Sequence, residues 1–149
     1  MKKRNKQYRP KPVLPMLMFA YDAAHATQLK MMPHTAFDRV SEGVANGDDI
    51  ATIVVRLDWG YILAKTLFDE PVISNILETA FEAVKTLREA INTHGSCLAT
   101  QNELQAIGIG LNTVDDLQDN STRREQWNAL NKLNDLCGRL SSARATAIS

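Results

Sequence analysis

Between Asp48 and Phe68, apolar side chains recur at steps of three and four residues: Ile50, Ile53, Val54, Leu57, Tyr61, Ala64 and Phe68. That spacing follows the 3.6-residue turn and places one continuous stripe on a helix, which must be buried against other elements. Val55, Trp59, Ile62 and Leu63 widen the stripe around the same helix. A helix apolar on more than one side belongs at the centre of a fold, touched by several neighbours. Asp48 or Asp49 is the expected cap.

The same period continues along the chain. Pro71 opens a helix carrying Ile73, Ile76, Leu77, Ala80, Val84, Leu87 and Ile91, which Gly95 ends. Thr100 and Glu103 have capping-box spacing ahead of Leu104, Ile107, Leu111, Val114 and Leu117, and Thr122 with Glu125 repeats it ahead of Trp127, Leu130, Leu133, Cys137 and Leu140. Gly108 and Gly110 fall inside the former window and mark a close backbone approach, a kink or a break. On the N-terminal side, a helix from Pro15 is expected to stop before Pro33, and a short one opens at Thr35 and closes at Asn46-Gly47. No alternating pattern lasts more than a few residues, so the expected class is all-α. The economical architecture is an up-down antiparallel bundle of four long helices plus one short helix.

A chain of 149 residues holds one such domain, assigned to 13–142, between a basic arm at 1–12 and a fraying tail at 143–149. Charge divides along the same boundary. Lys2, Lys3, Arg4, Lys6, Arg9 and Lys11 are six of the seventeen basic residues, and no acid stands among the first twelve positions. Eleven basic residues against seventeen acids remain downstream, a body of net charge −6. Such polarity suits an arm that seeks phosphate, an anionic surface or an acidic protein patch, on a body that repels polyanions. The apolar run Val13–Tyr21 and the small residues Ala24-His25-Ala26 imitate a secretory leader. Pro10, Pro12, Pro15 and the early Asp22 oppose that reading, so an uncleaved cytoplasmic chain is expected. No apolar run approaches the roughly 18 residues of a membrane-spanning helix.

The chemistry-bearing residues are sparse. Cys97 and Cys137 are expected to be reduced core thiols, about 8 Å out of register across a terminal helical hairpin. His25, His34 and His94 have no ligand or nucleophile partner at helical spacing, and Glu78 with Glu82 lacks the matching Glu-x-x-His halves of a bundle metal site. We therefore expect no metal, no cofactor and no catalytic residue. Trp59 and Tyr61 are assigned to the core, as are Met16, Met18, Met31 and Met32, whose flexible side chains fill irregular gaps. In the last helix Asn128, Asn131 and Asn134 recur every three residues behind Arg123 and Arg124, whose charges oppose the positive helix end. A locally unfavourable arrangement of that kind makes these five residues a second candidate binding surface beside the arm.

The opening Arg4-Asn5-Lys6-Gln7-Tyr8-Arg9-Pro10-Lys11-Pro12 and the Gly47-to-Ala64 segment resemble small uncharacterised proteins of bacterial phages and other mobile elements. The resemblance implies a non-enzymatic helical accessory that occupies a surface on host machinery, as anti-CRISPR inhibitors do. The expected function is accordingly non-catalytic macromolecule binding, with a protein partner foremost. Direct nucleic-acid binding through the arm is the alternative. A homodimer is expected if the apolar faces of the central helix exceed what one bundle covers.

Overall fold

In a computed structural model of the protein, the described residues are 23–148, with side chains described over 29–138. They form five helices: α1 (Ala23–Ser41), α2 (Gly47–Leu67), α3 (Pro71–His94), α4 (Gln101–Asp119) and α5 (Arg123–Ile148). No strand occurs among the described residues, and the helices pack on one another as an all-α bundle. The arm, the helix start at Pro15, the leader-like run, Met16 and Met18 lie outside the described residues, as does the His25 side chain.

Four of the five N-termini follow from local chemistry. Asn46, and not Asp48 or Asp49, caps α2: its side chain accepts from the Asp49 amide at 3.0 Å, while Asp49 accepts from the Asn46 amide at 2.9 Å. Asp49 sits at the third helical position, where its carboxylate closes the reciprocal box and also accepts from Arg39 of α1 at 2.9 Å. Thr100 with Glu103 and Thr122 with Glu125 form the expected boxes at α4 and α5. Pro71 occupies the first turn of α3, and Gly95 ends that helix in the left-handed conformation, φ 77°. Burial works to raise the Asp49 pKa, but the Asn46 amide and the Arg39 guanidinium outweigh it and hold the carboxyl below its ordinary value. Its stabilising contribution is therefore complete above the unfolded value of 3.8 and is lost as pH falls through the lowered folded one. Asn46→Ala should cost about 1 kcal/mol in urea unfolding at neutral pH.

Pro33 corrects the expected helix boundary. α1 runs through it without a stop, so Thr35 opens no new helix and its hydroxyl instead donates to the Met31 carbonyl. Interior proline costs about 3 kcal/mol in an exposed helix. Here Pro33 is buried, and continuing the helix beyond it buries Ala36 and Val40. Packing decides the outcome, and the expected long and short N-terminal helices are replaced by a single helix. At the other end, α5 extends to Ile148, and Ala143, Arg144, Ala145 and Ala147 in its last turns are favourable helix residues.

The expected central helix is central. α2 touches α1, α3, α4 and α5, and its Ile50, Ile53, Leu57 and Leu63 are fully buried. Leu77, Ala80, Val84 and Leu87 of α3 meet it, with Ile107, Leu111 and Val114 of α4. Each large aliphatic side chain so buried stabilises the fold by about 1.5–3 kcal/mol. Glycines permit the closest approaches. A Cβ on Gly60 of α2 would lie 2.3 Å from Val114 Cγ2, and one on Gly110 of α4 would lie 2.6 Å from Ala80 Cβ. The second glycine is the close approach anticipated for the Gly108/Gly110 pair, and α4 is unbroken through both.

α5 departs from the expected hairpin. It packs on α2 through Ala129, Leu130 and Leu133 and has little contact along α4. Cys97 lies in the α3–α4 connection rather than on a helix; it is buried, and burial with the nearby Glu103 charge pushes its thiol pKa up. Cys137 is exposed on α5, which corrects its assignment to the core. Both thiols are free. Met31 and Met32 are likewise exposed, not core.

Candidate functional site

Because α5 lies on α2 rather than along α4, a groove of about 660 Å³ opens between α1, α2 and α5, with the end of α4 at one margin. The α2 wall is one helical stripe, Asp48, Ala51, Thr52, Val55, Arg56 and Trp59. Leu29, Met32 and Pro33 of α1 face it, and Leu130, Leu133, Asn134 and Cys137 of α5 complete the walls. Apolar surface dominates, and two of the wall residues, Val55 and Met32, are about half exposed, at 51% and 52%.

The polar groups are gathered on one side. Arg56, only 8% exposed, donates from Nη2 to Asp115 Oδ1 at 2.9 Å. His34 donates from Nε2 to the other oxygen of the same carboxylate at 2.8 Å. The Arg56 guanidinium also stands 5.0 Å over the Trp59 ring, whose Nε1 donates to the Gln126 carbonyl at 3.2 Å. A single polar chain thereby ties α1, α4, α2 and α5. Lys30 of α1 reaches Asp119 one turn further along α4, so α1 and α4 run antiparallel through two successive contacts. Gln126 donates to the Gln118 carbonyl at 3.0 Å and to Ser121 Oγ at 3.1 Å, clamping the α4–α5 turn. Gln118 is itself buried, and its Oε1 has no hydrogen-bond partner. An unsatisfied buried acceptor costs about 1–3 kcal/mol.

These residues were not accessible to local sequence reasoning. Asp115 stands 59 positions from Arg56 and 81 from His34, so only the tertiary packing joins them. One signal does exist: Arg56 stands between Val55 and Leu57 in a helix expected to be apolar on more than one side, and a charge buried there needs a partner.

The sequence-derived surface on α5 is only partly assembled. Arg123 and Arg124 are exposed in its first turn, and Asn128 and Asn131 are exposed beyond them. A step of three residues falls about 60° short of a full helical turn, so the three amides spiral around α5 instead of forming one row. Asn134 alone lines the groove. Lys2, Lys3, Arg4, Lys6, Arg9 and Lys11 lie outside the described residues. Glu78 and Glu82 are exposed on α3, and among the described residues no three His, Cys, Asp or Glu side chains are grouped to hold a metal ion. No described helix is long and apolar enough to cross a membrane. The chain matches no known protein family, no curated protein and no solved structure.

Proposed function

We propose that the protein is a non-catalytic binding module that seats an apolar segment with basic flanks, supplied by a partner protein, in the groove between α1, α2 and α5. The predominantly apolar lining of the groove, from Leu29, Met32 and Pro33 through Val55 to Leu130 and Leu133, carries this reading. Its volume falls within the roughly 300–1,000 Å³ of sites that enclose a ligand or a few anchor side chains. Met32 adds a wall that adapts to different side chains. Charge selects the flanks: Asp48 lies on the margin, and the chain beyond its first twelve residues carries net charge −6. Basic partner surfaces of that type are common on nucleic-acid machinery, which fits the mobile-element resemblance and an inhibitory or regulatory role.

Val55→Glu tests the site. The position is half exposed, so the substitution leaves the core intact while placing a charge in the apolar wall. Purified partner binding, followed by titration calorimetry after identification by affinity capture, should weaken at least tenfold, equivalent to about 1.4 kcal/mol. Arg123→Ala with Arg124→Ala should leave it within a factor of about two, since rim charges act mainly on association rate. Equal binding by Val55→Glu and the unaltered protein would remove the reading.

The segregation of six cations into the first twelve residues supports a second reading, direct nucleic-acid binding by the arm. It requires an affinity that falls steeply with salt and disappears when residues 1–12 are deleted. Anisotropy titrations of labelled duplex and single strands separate the two readings.

A further inference from the structure

We infer that the groove's resident occupant is the chain's own apolar run, Val13–Tyr21, acting as an internal stand-in for the partner segment. The inference rests on the groove reading above and deepens it by naming a competitor. Val13, Leu14, Met16, Leu17, Met18, Phe19 and Tyr21 are apolar, and Lys2 to Lys11 precede them. The N-terminal segment therefore has the chemistry the groove selects: an apolar stretch with a basic flank.

Connection and reach support the same occupant. The run joins α1 at Ala23, and the first groove residue, Leu29, lies six positions into that helix, about 9 Å along its axis. Residues 13–22 span up to about 33 Å when extended, enough to turn back beside α1 and follow the α2 wall from Trp59 towards Asp48. The cations ahead of Val13 then come within reach of the Asp48 carboxylate. Being tethered, the segment competes at the high effective concentration of a short linker. A partner must displace it, so removal of the segment should strengthen partner binding.

Paramagnetic relaxation in the full-length chain provides the test. A nitroxide is placed at Leu17→Cys in a Cys137→Ser background, where the remaining Cys97 is buried. The amide signals of Ala51, Val55, Leu130 and Leu133 should be broadened, those of Glu82 and Glu89 on the exposed side of α3 should not, and the pattern should be independent of protein concentration. Val55→Glu should relieve the broadening. Deletion of residues 1–21 should raise partner affinity at least threefold, and a synthetic peptide of residues 1–22 should reverse the gain. Unbroadened groove signals would overturn the inference, as would broadening that grows with concentration, which would assign the segment to a second copy. Broadened groove signals with unaltered partner binding by Val55→Glu would retain the inference and remove the partner reading. The reverse pattern would do the opposite.

Discussion

Asp115→Ala should lower folded-state stability by about 3 kcal/mol, near the low end for breaking a buried ion pair. The carboxylate is the shared acceptor for Arg56 of α2 and His34 of α1, and its loss leaves a guanidinium that is 92% buried without its Asp115 contact. Partial exposure of Asp115, 23% of its side chain, keeps the expected cost from reaching the upper part of that range. Asp115→Asn retains one carbonyl acceptor and should lose less. Combining Asp115→Ala with Arg56→Met should recover part of the loss, because much of the cost arises from a buried charge that has lost its Asp115 contact rather than from the pair's intrinsic worth. Urea unfolding of the four proteins checks these effects. A double-mutant cycle between His34 and Asp115 then isolates the link between α1 and α4.

Gly110→Ala should also destabilise the protein, by up to about 2 kcal/mol once a helix-propensity gain of about 1 kcal/mol is set against an overpacking cost of about 1–3 kcal/mol. Its added Cβ would meet Ala80 Cβ at 2.6 Å and Leu57 Cδ2 at 3.3 Å. Leucine can change rotamer, but alanine has no rotamer to change, so α3 and α4 must separate. Gly108→Ala is the internal control, two residues away on the same helix. There the new Cβ would find only the Phe37 ring, at 3.5 Å, an ordinary contact. The propensity gain is then unopposed, and thermal unfolding should show a higher midpoint for Gly108→Ala and a lower one for Gly110→Ala. Equal shifts of one sign would show that the α3–α4 spacing does not depend on the absent side chain.

The glycine pair illustrates how far the sequence could be read. Periodicity located α2, α3, α4 and α5, because each buries a stripe whose spacing is set by the helix alone. Capping chemistry located the starts of α4 and α5 for the same reason: Thr100 with Glu103 and Thr122 with Glu125 act over three residues. Periodicity could not say which glycine faces a neighbour, since that depends on how the helices cross. Pro33 exceeded local reasoning in the same way. Its intrinsic helix-breaking tendency is real, and the burial of Ala36 and Val40 beyond it is a tertiary gain that no short window contains.

The candidate site was less legible. The α5 residues Arg123, Arg124, Asn128, Asn131 and Asn134 attracted attention through unusual local chemistry, yet only Asn134 borders the groove. The groove exists because α5 rests on α2 and not along α4, a choice made by distributed contacts such as Trp59 with Gln126 and by the Gln126 clamp on the turn. Val55 looked like one more apolar residue of the central stripe. Its exposure arises only from the placement of α1 and α5 on either side.

Site-specific photo-crosslinking at the groove is the most direct measurement of how this molecule acts. A benzophenone amino acid replaces Val55 in one protein and Glu89, an exposed residue of α3, in another, and each is irradiated with the purified partner. The account predicts a covalent adduct from position 55, suppressed by excess unlabelled protein, and none from position 89. Adducts of equal yield from both positions, or from position 89 alone, would contradict it.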